Sequence, residues 1–173
     1  MSLNFQPKLK QAYEQGVAEA ASTKVSRLIK APLQAVYRAF LDRDALAAWL
    51  PPETMAGRVH ALDPRPGGKF AMSLTYQDPQ LAPGGQGKTS ENTDTFQGRF
   101  VELVPDEKIV WAVQFDSPHP EFAGEMRITW SLADAGDGTQ VSVLCENIPP
   151  GVRPEDNEMG SRSSLQKLAA LVE

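Results

Sequence analysis

Hydrophobic and polar positions alternate through the middle of the chain and change to a helical spacing at both ends. From Lys69 to Tyr76, the residues Phe70, Met72, Leu74 and Tyr76 fall on one side, and Ala71, Ser73 and Thr75 on the other. A period of two is that of a strand with one buried face. It recurs over Thr93 to Leu103, with Phe96, Gly98 and Phe100 in step, and over Lys108 to Phe115, with Ile109, Trp111, Val113 and Phe115. Glu125 to Leu132 repeats it with Met126, Ile128, Trp130 and Leu132. Val141, Val143 and Cys145 share a face in a last strand, reached through the hairpin signal Ala135-Gly136-Asp137-Gly138. Lys24 to Lys30 and Gly57 to Asp63 complete the strand set. No helix-length segment separates the middle strands, so the pairing is antiparallel and a doubly wound parallel sheet is excluded.

The ends read differently. Phe5, Leu9, Tyr13 and Val17 recur every fourth residue, which predicts a short amphipathic helix ahead of the first strand. It is expected to lie on the domain as an appendage, with a homodimer contact or a cover over a pocket as the other roles open to it. Pro32 suits the first position of a helix running to Leu41, with Leu33, Val36, Tyr37 and Phe40 on one face. Asp44 is placed to cap a second short helix, Ala45 to Leu50, which Pro51-Pro52 ends. At the far end Leu165, Leu168, Ala169 and Val172 form an i, i+3, i+4, i+7 stripe on a closing helix near residues 154–172. The expected fold class is α+β: a six- or seven-stranded antiparallel sheet wrapped around a long C-terminal helix, with two short helices after the first strand. Residues 1–22 then form a helical extension and residues 23–173 one domain.

Composition narrows the function classes. A chain of 173 residues with 41% apolar content holds one sizeable core and not two ordinary domains. Residues 1–60 carry eight Lys and Arg against five Asp and Glu, and residues 61–173 nine against seventeen. The basic excess is small and scattered, so no nucleic-acid footprint exists, and the acidic remainder does not suit an anionic membrane surface. No apolar run approaches the roughly 18 residues of a membrane-spanning helix. Cys145 is the only cysteine, which excludes an internal disulfide and fits a cytoplasmic address. Its parity with Val141 and Val143 places the thiol in the interior.

Candidate chemistry is sparse. The stretch from Ala82 to Thr89 has the glycines and lysine of a phosphate loop, but no buried strand precedes it and another strand follows it. Nucleotide is therefore not expected. His60 lies mid-strand and His119 in a turn, without the spacing of a metal site, and neither forms a motif with Cys145. No metal, cofactor or catalytic residue is assigned. His60, Tyr76, Asp116 and Glu146 are the groups that could serve as a cavity acid or base, and none has a partner visible in the sequence. The aromatic and methionine positions are more informative. Phe70, Met72, Phe96, Trp111, Met126 and Trp130 hold matching parities on successive strands, Leu165 and Leu168 approach from the helix, and Trp49 stands where the first helices cross. A curved sheet around one helix leaves space among such residues, so these nine are the expected wall of a site for a small apolar or amphipathic molecule. The irregular stretch from Gln77 to Asn92 could border that site.

Taken in order, Ile29-Lys30-Ala31-Pro32, Val36-Tyr37-Arg38-Ala39-Phe40, Trp49-Leu50-Pro51-Pro52 and Pro66-Gly67-Gly68-Lys69-Phe70 resemble a known family. So do the run from Phe96 to Pro105, Ile109-Val110-Trp111, and the run from Ser163 to Glu173. The resemblance is to the START-like, or SRPBCC, superfamily with its helix-grip fold, and within it to bacterial proteins similar to the C-terminal domain of the heat-shock-protein-90 ATPase activator. It implies binding of lipids or other apolar molecules, cyclase- or hydratase-type chemistry on such a ligand, or a chaperone-linked regulatory role. Two departures accompany it. The eukaryotic activator engages the chaperone through a separate N-terminal domain, and residues 1–23 hold no counterpart. Many relatives carry a tryptophan after the glycine that opens the last helix, where this chain has Gly160-Ser161, which implies a larger or wetter cavity.

Overall fold

Strands β1 (Ala21–Ile29) and β2 (Met55–Leu62) follow one another in the chain yet form opposite edges of a single sheet, ordered β1-β7-β6-β5-β4-β3-β2. The remaining strands are β3 (Lys69–Tyr76), β4 (Thr93–Val104), β5 (Lys108–Phe115), β6 (Met126–Asp134) and β7 (Thr139–Ile148). Every neighbouring pair is antiparallel. The computed structural model describes residues 21–78 and 92–173. The helix expected over Phe5 to Val17, the glycine-rich 82–89 and most of the irregular stretch before β4 lie outside the described residues.

The chain must cross the whole sheet to pass from β1 to β2, and two short helices do this: α1 (Leu33–Arg38) and α2 (Arg43–Trp49). Both are shifted from their sequence-based bounds. Pro32 occupies the cap position of α1 rather than its first turn. The helix stops at Arg38 instead of Leu41, because Ala39, Phe40 and Leu41 bond three residues back to Val36, Tyr37 and Arg38 at 3.0–3.1 Å. Asp42, not Asp44, caps α2, its carboxylate accepting the Asp44 N–H at 3.2 Å. Asp44 sits in the first turn, where its charge meets the positive end of the helix dipole.

The alternation holds in β6 and β7 and as far as Phe100 in β4, is blurred in β3, where Ala71 is buried beside Phe70 and Met72, and fails in β5. There Val110 and Ala112, expected on the wetter face, are 1% and 4% exposed. β5 is the fourth of seven strands, shielded on both sides by neighbours, so small apolar residues suit both of its faces. Gly98 lets β4 approach it: a Cβ at that position would overlap the Ala112 carbonyl oxygen.

A third helix, α3 (Pro154–Val172), lies against the inner face and completes the core. It buries Ser164, Leu165, Leu168 and Ala169, with Val172 partly covered, so the expected stripe does face the sheet. It runs alongside β1, from the Thr23 hydroxyl, which donates to Asn157, to Lys30, whose N–H donates to the Glu173 carboxylate at 3.0 Å. Its middle is fastened to the segment after α2. The Ser164 hydroxyl donates to the Leu50 carbonyl, the Lys167 ammonium to the Pro51 carbonyl at 2.7 Å, and the Glu53 N–H to the Ser163 hydroxyl at 2.8 Å. Burial lowers the Lys167 pKa, with Glu53 acting in the opposite sense.

Candidate ligand site

Aromatic rings fill the region under α1 and α2. Trp49 donates its indole N–H to the Ala39 carbonyl at 2.8 Å and packs edge-on against Phe40 and Trp130, with centroids 4.8 and 5.3 Å away. Phe70 lies 4.5 Å from Trp111, and Trp111 lies 5.6 Å from Trp130. Such tilted and edge-to-face pairs add to the burial of the rings themselves. Among the described residues the buried indole N–H groups of Trp111 and Trp130 have no acceptor.

Beyond Trp111 and Trp130 the packing opens into a cavity of about 340 Å³, between the first half of α3 and the inner face of β3 to β7. Its wall is mostly apolar. Phe96, Trp111, Val113, Met126, Ile128, Trp130, Val143 and Cys145 come from the strands, Leu50, Pro52 and Val152 from the connections, and Phe122 from the 3-10 turn at Pro120–Phe122. Tyr76, Asp94, Arg153, Asp156, Asn157, Ser161 and Ser164 supply polar groups. The exposed Arg153 and Asp156 mark where the space meets solvent.

Four of the nine residues expected on this wall stand on it: Phe96, Trp111, Met126 and Trp130. Trp49, Phe70, Met72, Leu165 and Leu168 lie behind it in the close-packed core. The crossing helices bring Phe40 and Trp49 down onto Trp130, and α3 seats Leu165 and Leu168 in its second half against the sheet. Met72 reaches over Gly57, its methyl 2.7 Å from where a Cβ would stand.

The sequence-based wall omitted two carboxylates. Asp94 is only 3% exposed, and its signal was the parity it shares with Phe96 on the inward stripe of β4. Asp156 enters from the first turn of α3, and no pattern before the fold was known linked it to Tyr76. Burial first, then the charges of Asp94 and Asp156, push the Tyr76 phenol up to about 12. Of the four acid–base candidates, Tyr76 alone reaches the cavity. His60 lies exposed with its Nε2 2.7 Å from the Ser73 hydroxyl, and Asp116 and Glu146 are exposed elsewhere. Cys145 is buried, as its parity predicts; burial raises its pKa, opposed by hydrogen bonds with Thr23, Asn157 and Ser161. A buried thiol so shifted is a poor nucleophile.

Gly160 and Ser161 also border the space. They stand within α3 rather than at its opening, which Pro154 forms. A Cβ on Gly160 would meet only Pro52, at 3.6 Å. Among the described residues no three His, Cys, Asp or Glu side chains converge as a metal site, and no helix is long and apolar enough to cross a membrane.

An antiparallel seven-stranded sheet around a C-terminal helix, with two helices crossing after the first strand, is the helix-grip arrangement of START-like proteins. The family model described as Activator of Hsp90 ATPase homolog 1-like protein matches residues 30–173, and the chain belongs to that family. Among solved structures, protein CV1439 from Chromobacterium violaceum is 38% identical with a TM-score of 0.77, covering 88% of this chain and 96% of that one. The AHSA1-like protein from Aeromonas hydrophila shares the fold at 16% identity and a TM-score of 0.63, over 88% of this chain and 92% of its own. Protein Ms6760 from Mycobacterium smegmatis does so at 14% identity and 0.67, over 88% and 90%. No curated protein matches the chain.

Proposed function

We propose that this protein binds a small apolar or amphipathic molecule in the cavity between the sheet and the first half of α3. The observation that carries the proposal is the cavity itself: about 340 Å³ walled by Phe96, Trp111, Met126 and Trp130, beside a core that is otherwise closely packed. Folding tends to fill apolar space, and a hole of this size and lining is the usual form of a ligand site. Burying roughly 250 Å² of apolar ligand surface at about 25 cal/mol/Å² supplies roughly 6 kcal/mol before the costs of association. Micromolar affinity is the scale to expect. The free, buried Cys145 suits a reducing, cytoplasmic setting.

The test is native mass spectrometry of freshly purified protein, followed by thermal melts with the co-purified compound or with 1-octanol. Ligand at about 100 times Kd should stabilise by about 2.7 kcal/mol. At about 2–4 °C per kcal/mol for a domain of this size, the melting temperature should rise by roughly 5–10 °C. Tryptophan emission should shift as well, because Trp111 and Trp130 stand on the wall. Ser161→Trp places a ring in the space and should abolish both responses while the protein still folds. A variant that binds as the parent does would refute the location, and absence of any bound or stabilising small molecule would leave a protein-interaction role as the better reading.

A further inference from the structure

We infer that residues 5–17 of this chain dock across the mouth of the cavity, the stripe Phe5, Leu9, Tyr13 and Val17 against the opening, and so set how fast a ligand enters and leaves. The inference rests on the cavity reading above and adds what covers the site. Residues 1–20 lie outside the described residues, but the place where they join the domain is fixed. β1 begins at Ala21, which pairs with Ile148 at the end of β7. Shortly beyond Ile148 the chain reaches Gly151, Val152 and Arg153 on the cavity wall. Thr23, near the start of β1, donates its hydroxyl to Asn157 and lies opposite Cys145 in the register, and both of those residues line the space. The upstream chain therefore leaves the sheet at the open end of the cavity, where Arg153 and Asp156 meet solvent.

Length and pattern fit that place. The step from Val17 to Ala21 spans at most roughly 14 Å of extended chain, so the near end of the stripe is held beside the mouth. A helix over residues 5–17 is about 20 Å long, and one so short is marginal in water by itself. A single apolar stripe on it needs an apolar surface to rest on. The mouth offers one: Phe122 and Val152 line the space, and Met159, 68% exposed, stands on α3 three residues on from Asp156. Lys8, Lys10, Gln11 and Glu14 occupy the other faces of the segment and suit solvent. The family match begins at residue 30, so such a cover belongs to this chain's own extension and not to the shared domain.

Hydrogen exchange of the full chain at two protein concentrations tests this, together with the rate of 1-octanol release followed by tryptophan emission. Amides of 5–17 should exchange more slowly in the parent than in Leu9→Asp/Tyr13→Asp, which puts charge on the stripe. That variant should also release 1-octanol roughly tenfold faster, the scale of exposing one buried leucine. Met159→Asp, at the rim, should weaken the protection of 5–17 in the same way. Leu171→Asp, 48% exposed in the last turn of α3, should not. Free exchange of 5–17 in the parent, unchanged release from the double variant, or protection lost in Leu171→Asp but kept in Met159→Asp would overturn the cover while the cavity reading stands. Protection that grows with protein concentration would assign the stripe to a second copy of the chain and overturn it as well. If 1-octanol does not bind the parent at all, the cavity reading fails and this inference with it.

Discussion

At the scale of single residues, two glycines show how the surroundings decide what a side chain costs. Gly98 faces backbone. A methyl group there would overlap the Ala112 carbonyl, and β5 would have to move to admit it. Gly160 faces open space and stands inside a helix, where glycine is about 1 kcal/mol less favourable than alanine. Gly98→Ala should therefore destabilise by about 1–3 kcal/mol, the usual cost of overpacking. Gly160→Ala should stabilise by up to about 1 kcal/mol. Urea melts of both variants check the pair, and a stable Gly98→Ala would show that β4 and β5 have more freedom than their register implies. Residue type alone does not distinguish these two positions. The same limit explains the wall: the parity of Phe96, Trp111, Met126 and Trp130 was legible because sidedness in a strand repeats every two residues. Whether an inward residue meets a cavity or another ring depends on what packs opposite. Phe70 and Met72 have the same parity as the wall and lie buried behind it.

At the scale of elements, type and order could be read from the sequence while ends could not. The five strands from β3 to β7 and the closing helix follow from hydrophobic period, which tertiary contacts reinforce along the whole element. Ends depend on one or two hydrogen bonds, such as Asp42 accepting from Asp44 or Ala39 bonding back to Val36 at 3.1 Å, and several residues nearby could have served. The closing helix shows how packing and polar ties divide the work. Leu168 is fully buried, and Leu168→Ala should cost about 2–5 kcal/mol. Ser164→Ala leaves the Leu50 carbonyl without its donor and should cost about 1–3 kcal/mol. It also frees one wall of the cavity, because Leu50 lines it. Denaturant titration compares the two directly. A Ser164→Ala loss as large as that of Leu168→Ala would mean that the tie to Leu50, more than the apolar stripe, holds α3 to the domain.

At the scale of the whole molecule, the cavity is a consequence of how one helix is shared between two tasks. Its second half carries Leu165, Leu168 and Ala169 into a core already crowded by Phe40 and Trp49. Its first half carries Asp156, Asn157, Gly160 and Ser161, which bring little apolar volume toward the sheet, and the space beneath them stays open. Stability cannot then be uniform along α3, because local opening costs least where few buried apolar contacts are lost. Native-state hydrogen exchange should show amides of 154–163 exchanging faster than those of 164–172. A saturating ligand bridges the sheet and the first half of the helix, so it should slow exchange in 154–163 and narrow the difference. Uniform exchange along α3, unaltered by 1-octanol, would instead describe a helix docked as one rigid body, with the space under its first half taking no part in binding.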